Sequence, residues 1–225
     1  MLTGIKNWRG VLCGLMVMGL LGGPLAARAE EPEPPLASYD NNWTGGTQGL
    51  AIASAAVPNN YFEMADDVVL PTGDTYGLVT NVNVDGEFQA GTNLTSVTVR
   101  FYSNSSNLPG SVVYSRTATI TGGESSGDFQ LALPSTVALR TGQTYWLSVQ
   151  AQISNIDGNW FWTTRTPQTG NPAAIRKGND TNCLNVWVTR SICEPNVAFG
   201  PDLYFQLIYT PFTPTEFTYL PVINR

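Results

Sequence analysis

Apolar and polar residues alternate with a period of two in several runs of this chain, and from Trp43 to Tyr209 no stretch carries helical apolar spacing over three turns. Val97, Val99 and Phe101 share one row, opposite Thr98, Arg100 and Tyr102. Phe129, Leu131 and Leu133 oppose Gln130 and Ala132. Tyr145, Leu147, Val149 and Ala151 oppose Trp146, Ser148 and Gln150. A strand with one greasy row needs a second layer to cover it. Candidate strands are Tyr61–Leu70, Leu78–Val84, Leu94–Tyr102, Val112–Ile120, Phe129–Leu133, Thr144–Ala151, Trp160–Thr164, Leu184–Thr189 and Leu203–Tyr209. Turn residues punctuate them at Pro71-Thr72-Gly73, Asp85-Gly86, Leu108-Pro109-Gly110, Gly122-Gly123, Thr141-Gly142 and Asp157-Gly158. The pattern predicts an all-β fold over residues 43–210, an antiparallel two-sheet sandwich of jelly-roll-like type.

The ends read differently. Lys6 and Arg9 precede an apolar run from Val11 to Leu21, and Ala27-Arg28-Ala29 offers small residues to a signal peptidase. That run is too short to span a bilayer, which takes about 20 residues. Residues 1–29 are therefore expected to be an export signal and 30–42, rich in Pro and Glu, a flexible leader. Residues 211–225 read as a Pro/Thr linker and C-terminal tail.

The chain has 11 Lys+Arg against 17 Asp+Glu, a formal charge of −6. Losing Lys6, Arg9 and Arg28 with the signal would make the remainder more acidic still. Such a surface repels phosphate backbones, so nucleic acid is not an expected partner, and no later segment is apolar enough to span a membrane. Of 3 cysteines, Cys13 lies in the signal. Cys183 and Cys193 remain, an even pair in an exported chain, and are expected to form a disulfide. With no histidine and no third Cys nearby, nothing completes a zinc site on this pair.

Histidine is absent altogether. This excludes Ser-His-Asp and Cys-His hydrolases and histidine acid–base catalysis. No phosphate-binding loop or dinucleotide glycine fingerprint appears. A carboxylate-pair glycoside hydrolase needs only two acids, and Glu63, Asp67, Glu87, Asp128 and Glu194 are the candidates.

Two features deviate from a bland sandwich. Asp66 falls on the apolar row of Phe62, Met64, Val68 and Leu70, where a bare carboxylate costs several kcal/mol. Three solutions are open: a bulge at Asp66-Asp67 turns it outward; backbone amides or Arg100 satisfy it; or Asp66 or Asp67 joins Asp202 around a structural Ca²⁺. The second feature is aromatic. Trp146 and Trp187, with Tyr102 and Arg100, would form a flat face beside polar donors if their rows adjoin, a surface suited to a sugar ring. Trp160 and Trp162 share one strand face and would make a similar platform. Against this, large aromatics usually fill cores.

Two resemblances add to this reading. Phe217-Thr218-Tyr219-Leu220-Pro221-Val222 resembles the Tyr-Leu-Pro tails that close many exported proteins of some filamentous bacteria. Met64-Ala65-Asp66-Asp67-Val68-Val69-Leu70-Pro71 resembles the opening strand of uncharacterised bacterial secreted β-sandwich domains. Val97–Tyr102, Thr144–Val149 and Gly200-Pro201-Asp202-Leu203 are similar to their later strands. The resemblance implies a secreted or cell-surface location and no established catalytic residue. The function expected is an exported, non-catalytic binding or adhesion module, with polysaccharide or another cell-surface component as partner. The alternatives are a self-associating envelope protein and a carboxylate-dependent glycoside hydrolase.

Overall fold

The computed structural model describes residues 35–40, 49–52, 54–55, 61–154, 158–178, 183–195 and 200–214. The expected export signal and residues 215–225 of the tail lie outside the described residues. The strands are β1 (Ala37–Asp40), β2 (Gly49–Ile52), β3 (Ser54–Ala55), β4 (Phe62–Val69), β5 (Tyr76–Val84), β6 (Gly86–Phe88), β7 (Leu94–Ser105) and β8 (Leu108–Gly122). They continue as β9 (Phe129–Arg140), β10 (Thr144–Ile153), β11 (Trp160–Arg165), β12 (Ala174–Lys177), β13 (Val188–Thr189), β14 (Asp202–Leu203) and β15 (Phe205–Phe212). One helical turn, α1 (Arg190–Cys193), follows β13.

The fold is an all-β antiparallel sandwich. A long hydrogen-bonded path runs β1-β15-β5-β9-β8-β7-β10-β4-β12-β13, with β3 beside β10, and a smaller sheet runs β14-β11-β2 with β6 beside β11. The long path forms two layers because β8 changes partner: Leu108–Ala118 pairs with β7, whereas Thr119–Gly122 pairs with β9. Val79, Val82, Leu131, Leu139 and Leu207 from one layer meet Met64, Val68, Val99, Phe101, Leu147 and Val149 from the other in one fully buried core. The alternating rows are thus the interior, and their polar partners form the outer face of the β7–β10–β4–β12 layer.

Several boundaries differ from expectation. Ala37–Asp40 is not a flexible leader but the edge strand β1, paired with β15, and the Tyr39 ring stacks on Phe205 at 6.0 Å. The apolar residues of this segment sit on one row, a signal hidden behind the Pro/Glu-rich residues before it. Pro211 and Phe212, expected in a linker, extend β15 opposite Gly77 and Tyr76. The turn expected at Leu108-Pro109-Gly110 lies earlier. Ser106 and Asn107, with φ of 52° and 61°, make the reversal, and Pro109 pairs with Asn104 inside the hairpin. The expected strand Leu184–Thr189 is broken: Leu184 makes an isolated bridge to Lys177, Val188–Thr189 pairs with β12, and between them Asn185 sits at φ 54° and turns the chain. The Cys183–Cys193 disulfide closes this segment.

Candidate functional site

The outer face of β4 presents Glu63, four residues before Asp67. Its carboxylate is fully buried, yet it lies on the side away from the main core. Oε1 accepts from Ser148 Oγ at 2.8 Å, Tyr102 OH at 2.6 Å and Arg100 Nη1 at 3.2 Å. Oε2 accepts from Arg176 Nε at 2.9 Å and from the Tyr61 hydroxyl. The donors come from β7, β10 and β12 on either side of β4, and from Tyr61 directly before β4. Strands stand about 4.8 Å apart, so Arg100 reaches across β10 to arrive there.

Charge explains why this is tolerated. Burial alone would push the Glu63 carboxyl up, but the Arg100 and Arg176 guanidinium groups and the Tyr102 and Tyr61 hydroxyls reverse that and hold it below the ordinary carboxylate range. Burial and the adjacent Glu63 charge push the Tyr61 phenol up to about 12, and raise Tyr102 as well. Both hydroxyls therefore stay protonated as donors at neutral pH.

Aromatic residues complete the face. Trp146 and Tyr102 are directly opposite on β10 and β7, and with Ala65 and Ala174 form a second, smaller buried cluster. Trp187 packs edge-on to Tyr102 at 5.5 Å between ring centroids, and the Arg176 guanidinium lies 4.7 Å from the Trp187 ring centroid. Tyr102, Arg100, Trp146 and Trp187 are thus brought together. Trp146 and Tyr102 are fully covered, and the Trp146 indole N–H donates to Asn104 Oδ1 at 3.0 Å. Of the expected aromatic platform only Trp187 is partly open to solvent, flanked by the partly exposed side chains of Arg100 and Arg176.

Trp160 and Trp162 do not form a platform. Both are fully buried in the main core, 5.9 Å apart, and their indole N–H groups donate to the carbonyls of Gly127 and Tyr204. Their shared strand face points inward because β11 closes over the sandwich interior.

Asp66, Asp67 and Asp202, the residues expected around a structural Ca²⁺, each have protein partners. No bulge interrupts β4 opposite β10 at Asp66-Asp67, so the two side chains take opposite faces. Asp66 points inward, where its oxygens accept the amides of Leu203 at 2.7 Å and Asp67 at 2.9 Å. The backbone-amide solution therefore holds for Asp66, and Arg100 serves Glu63 instead. Asp67 faces outward and accepts the Asn171 amide and side chain at 3.0 and 2.7 Å. Gly170 makes room for that contact, since a Cβ there would stand 2.5 Å from Asp67 Oδ2. Asp202 lies against Arg165 at 3.3 Å, so a guanidinium already supplies positive charge. Among the described residues no three Asp, Glu, Cys or His side chains converge on a metal position. Burial, then the neighbouring Asp202, raises the Asp66 carboxyl well above its ordinary value, and burial raises Asp202. Two buried carboxylates beside one guanidinium favour a retained proton.

The other carboxylates have duties or open settings. Glu63 and Asp67 are four residues apart on one row, about 13 Å along a strand, beyond the 5–10 Å of a glycosidase pair. Glu194 is paired with Lys177 and Arg190, each at 3.0 Å. Glu87 and Asp128 are exposed, and Asp128 caps the Gly86 amide at 3.0 Å.

No family model matches this chain, and no curated protein matches it. A solved structure described as "Structure of infectious bursal disease virus Gt strain" is similar over 84% of this chain at 11% identity, with a TM-score of 0.30. This chain spans 41% of that chain. At that score the likeness carries nothing about fold or function.

Sequence reasoning missed the hub. Glu63 was a candidate only as half of a catalytic pair, and Arg176 and Tyr61 gave no signal. Arg176 sits on a strand of four residues, too short for alternation to show. Among the described residues no helix is long and apolar enough to cross a membrane.

Proposed function

We propose that this chain is an exported, non-catalytic binding module whose ligand surface is the outer face around Arg100, Arg176 and Trp187, with polysaccharide as the ligand class. The observation that carries this reading is the gathering of two partly exposed guanidinium groups and a half-buried indole around one buried carboxylate. Glu63 fixes the arginines before any ligand arrives, which removes part of the ordering cost of binding. The Cys183–Cys193 bond holds the segment that carries Trp187, and such bonds persist in oxidising compartments, in keeping with a secreted or cell-surface protein of bacterial origin. The test is binding of the full chain to a panel of neutral and acidic polysaccharides. Binding that Trp187→Ala removes, with the fold intact by circular dichroism, supports the reading; a blank panel contradicts it.

A self-associating surface protein is the second reading. Leu184, Val186 and Ile192 are 49%, 55% and 57% exposed, all within the disulfide-closed segment. Concentration-dependent assembly in light scattering, lost on Val186→Ser with Ile192→Ser, would favour this reading; a strict monomer would oppose it.

A further inference from the structure

We infer that the outer face takes the carboxylate of an acidic sugar, a uronic acid residue within a polysaccharide, on Arg100 and Arg176. The inference rests on the polysaccharide-binding reading above and names its substrate class.

The first argument is donor supply. Among the described residues only Nη1 of Arg100 meets protein acceptors, Glu63 Oε1 at 3.2 Å and Gln150 Oε1 at 3.1 Å. Its Nε and Nη2 have no acceptor among the described residues, and its side chain is 19% exposed. Arg176 uses Nε and Nη2 on Glu63, Tyr61 and Tyr102, which leaves Nη1 without an acceptor among the described residues, on a side chain 26% exposed. Spare N–H groups at a fixed position are what a second carboxylate requires, since guanidinium and carboxylate match as planar forks.

The second argument is charge. Glu63 carries one negative charge against the two guanidinium groups of Arg100 and Arg176. Among the described residues two cations thus share one carboxylate here, in a chain whose formal charge is −6. The positive surplus is local, and at physiological salt the screening length is about 8 Å. An anion seated on the arginines responds to them before it responds to the distant acidic surface.

The third argument is what surrounds the anion. Gln152, partly exposed, donates to Gln150 Oε1 at 3.2 Å, and its own amide oxygen is available to sugar hydroxyls. Trp187 supplies apolar ring surface beside Arg176. A free phosphate would use the arginines but not these groups.

The experiment is isothermal titration of the full chain with polygalacturonate, alginate and hyaluronan, each beside its carboxyl-reduced form, at physiological salt. At least one acidic polymer is expected to bind about tenfold or more tighter than its reduced form, as loss of a charge-assisted fork implies. Arg100→Gln should bring its affinity down to the reduced level. Arg100→Lys, which keeps charge without the planar fork, should also weaken it and serves if the Gln variant does not fold. Equal binding of acidic and reduced polymers overturns the inference while the polysaccharide reading stands. No binding to any polymer overturns both. Dextran sulfate binding as tightly, unaffected by either substitution, would reduce the effect to diffuse charge and also overturns it.

Discussion

Arg176 stands directly across the β12–β4 ladder from Glu63, and its Nε reaches Glu63 Oε2 at 2.9 Å. The pairing places a guanidinium on the outer rim of the layer while its partner stays fully buried. Strand register, which is a backbone property, thereby decides which cation the buried acid meets.

Removing the acid should be costly, because both arginines then lose their counter-charge. Glu63→Gln is expected to destabilise the protein by about 3–5 kcal/mol, the usual cost of breaking a buried pair. Chemical denaturation measures this. The held-down Glu63 carboxyl also sets a pH sign. Its stabilisation is present above the ordinary carboxylate pKa and is lost as pH falls through the depressed one. The Gln variant should lack that acid-side loss.

Core and surface tryptophans should separate cleanly. Trp162→Ala empties a fully buried site whose indole N–H is also bonded. It should cost about 3–5 kcal/mol. Trp187→Ala removes a half-buried ring and should cost less than half as much, while abolishing ligand binding. Thermal melts of the two variants, with a binding assay on the second, give the comparison.

The Asp66–Asp202 neighbourhood should make stability fall as pH rises. The Asp66 carboxyl is raised in the folded chain by burial first and Asp202 second, so the folded state holds its proton longer than the unfolded one. Its contribution is fully present below the unfolded pKa, about 3.9, and is lost as pH climbs through the folded value. Asp66→Asn removes that titration. The penalty of the substitution should therefore shrink between pH 4 and pH 7, measured as urea midpoints across that range.

How much of this was legible in the sequence follows from where alternation is long enough to read. Val97, Val99 and Phe101 against Arg100 and Tyr102 occupy a strand of 12 residues, and the structure places the two rows as the alternation divides them. Asp66 on the inward row was legible for the same reason, and backbone amides were part of one open solution; that the amide is Leu203's was not legible. Trp160 and Trp162 show the limit. Alternation says that they share a face, and nothing local says which layer that face meets. Arg176 meets Tyr61 and Tyr102, and Trp187 meets Tyr102, only through pairings between segments distant in the chain. No local pattern encodes such pairings.

Reduction should loosen the Trp187 segment rather than the sandwich. The Cys183–Cys193 bond closes a separation of 10 residues at the β13 end of the long path. Cys183→Ala with Cys193→Ala should cost about 2–3 kcal/mol. Hydrogen exchange should show faster exchange across 183–193, with β5, β9 and β15 unchanged.

The central claim is that one buried carboxylate presents two arginines and an indole as a ready binding face. Its most direct test is NMR of the guanidinium Nε–H groups of Arg100 and Arg176 and the indole N–H of Trp187, titrated with an oligosaccharide drawn from the binding panel. Saturable shifts confined to these three groups and their neighbours, with the Trp160 and Trp162 indoles still, are the predicted result. Binding that moves only signals from the opposite β1–β15–β5–β9 layer, or leaves all three groups unmoved, would contradict it.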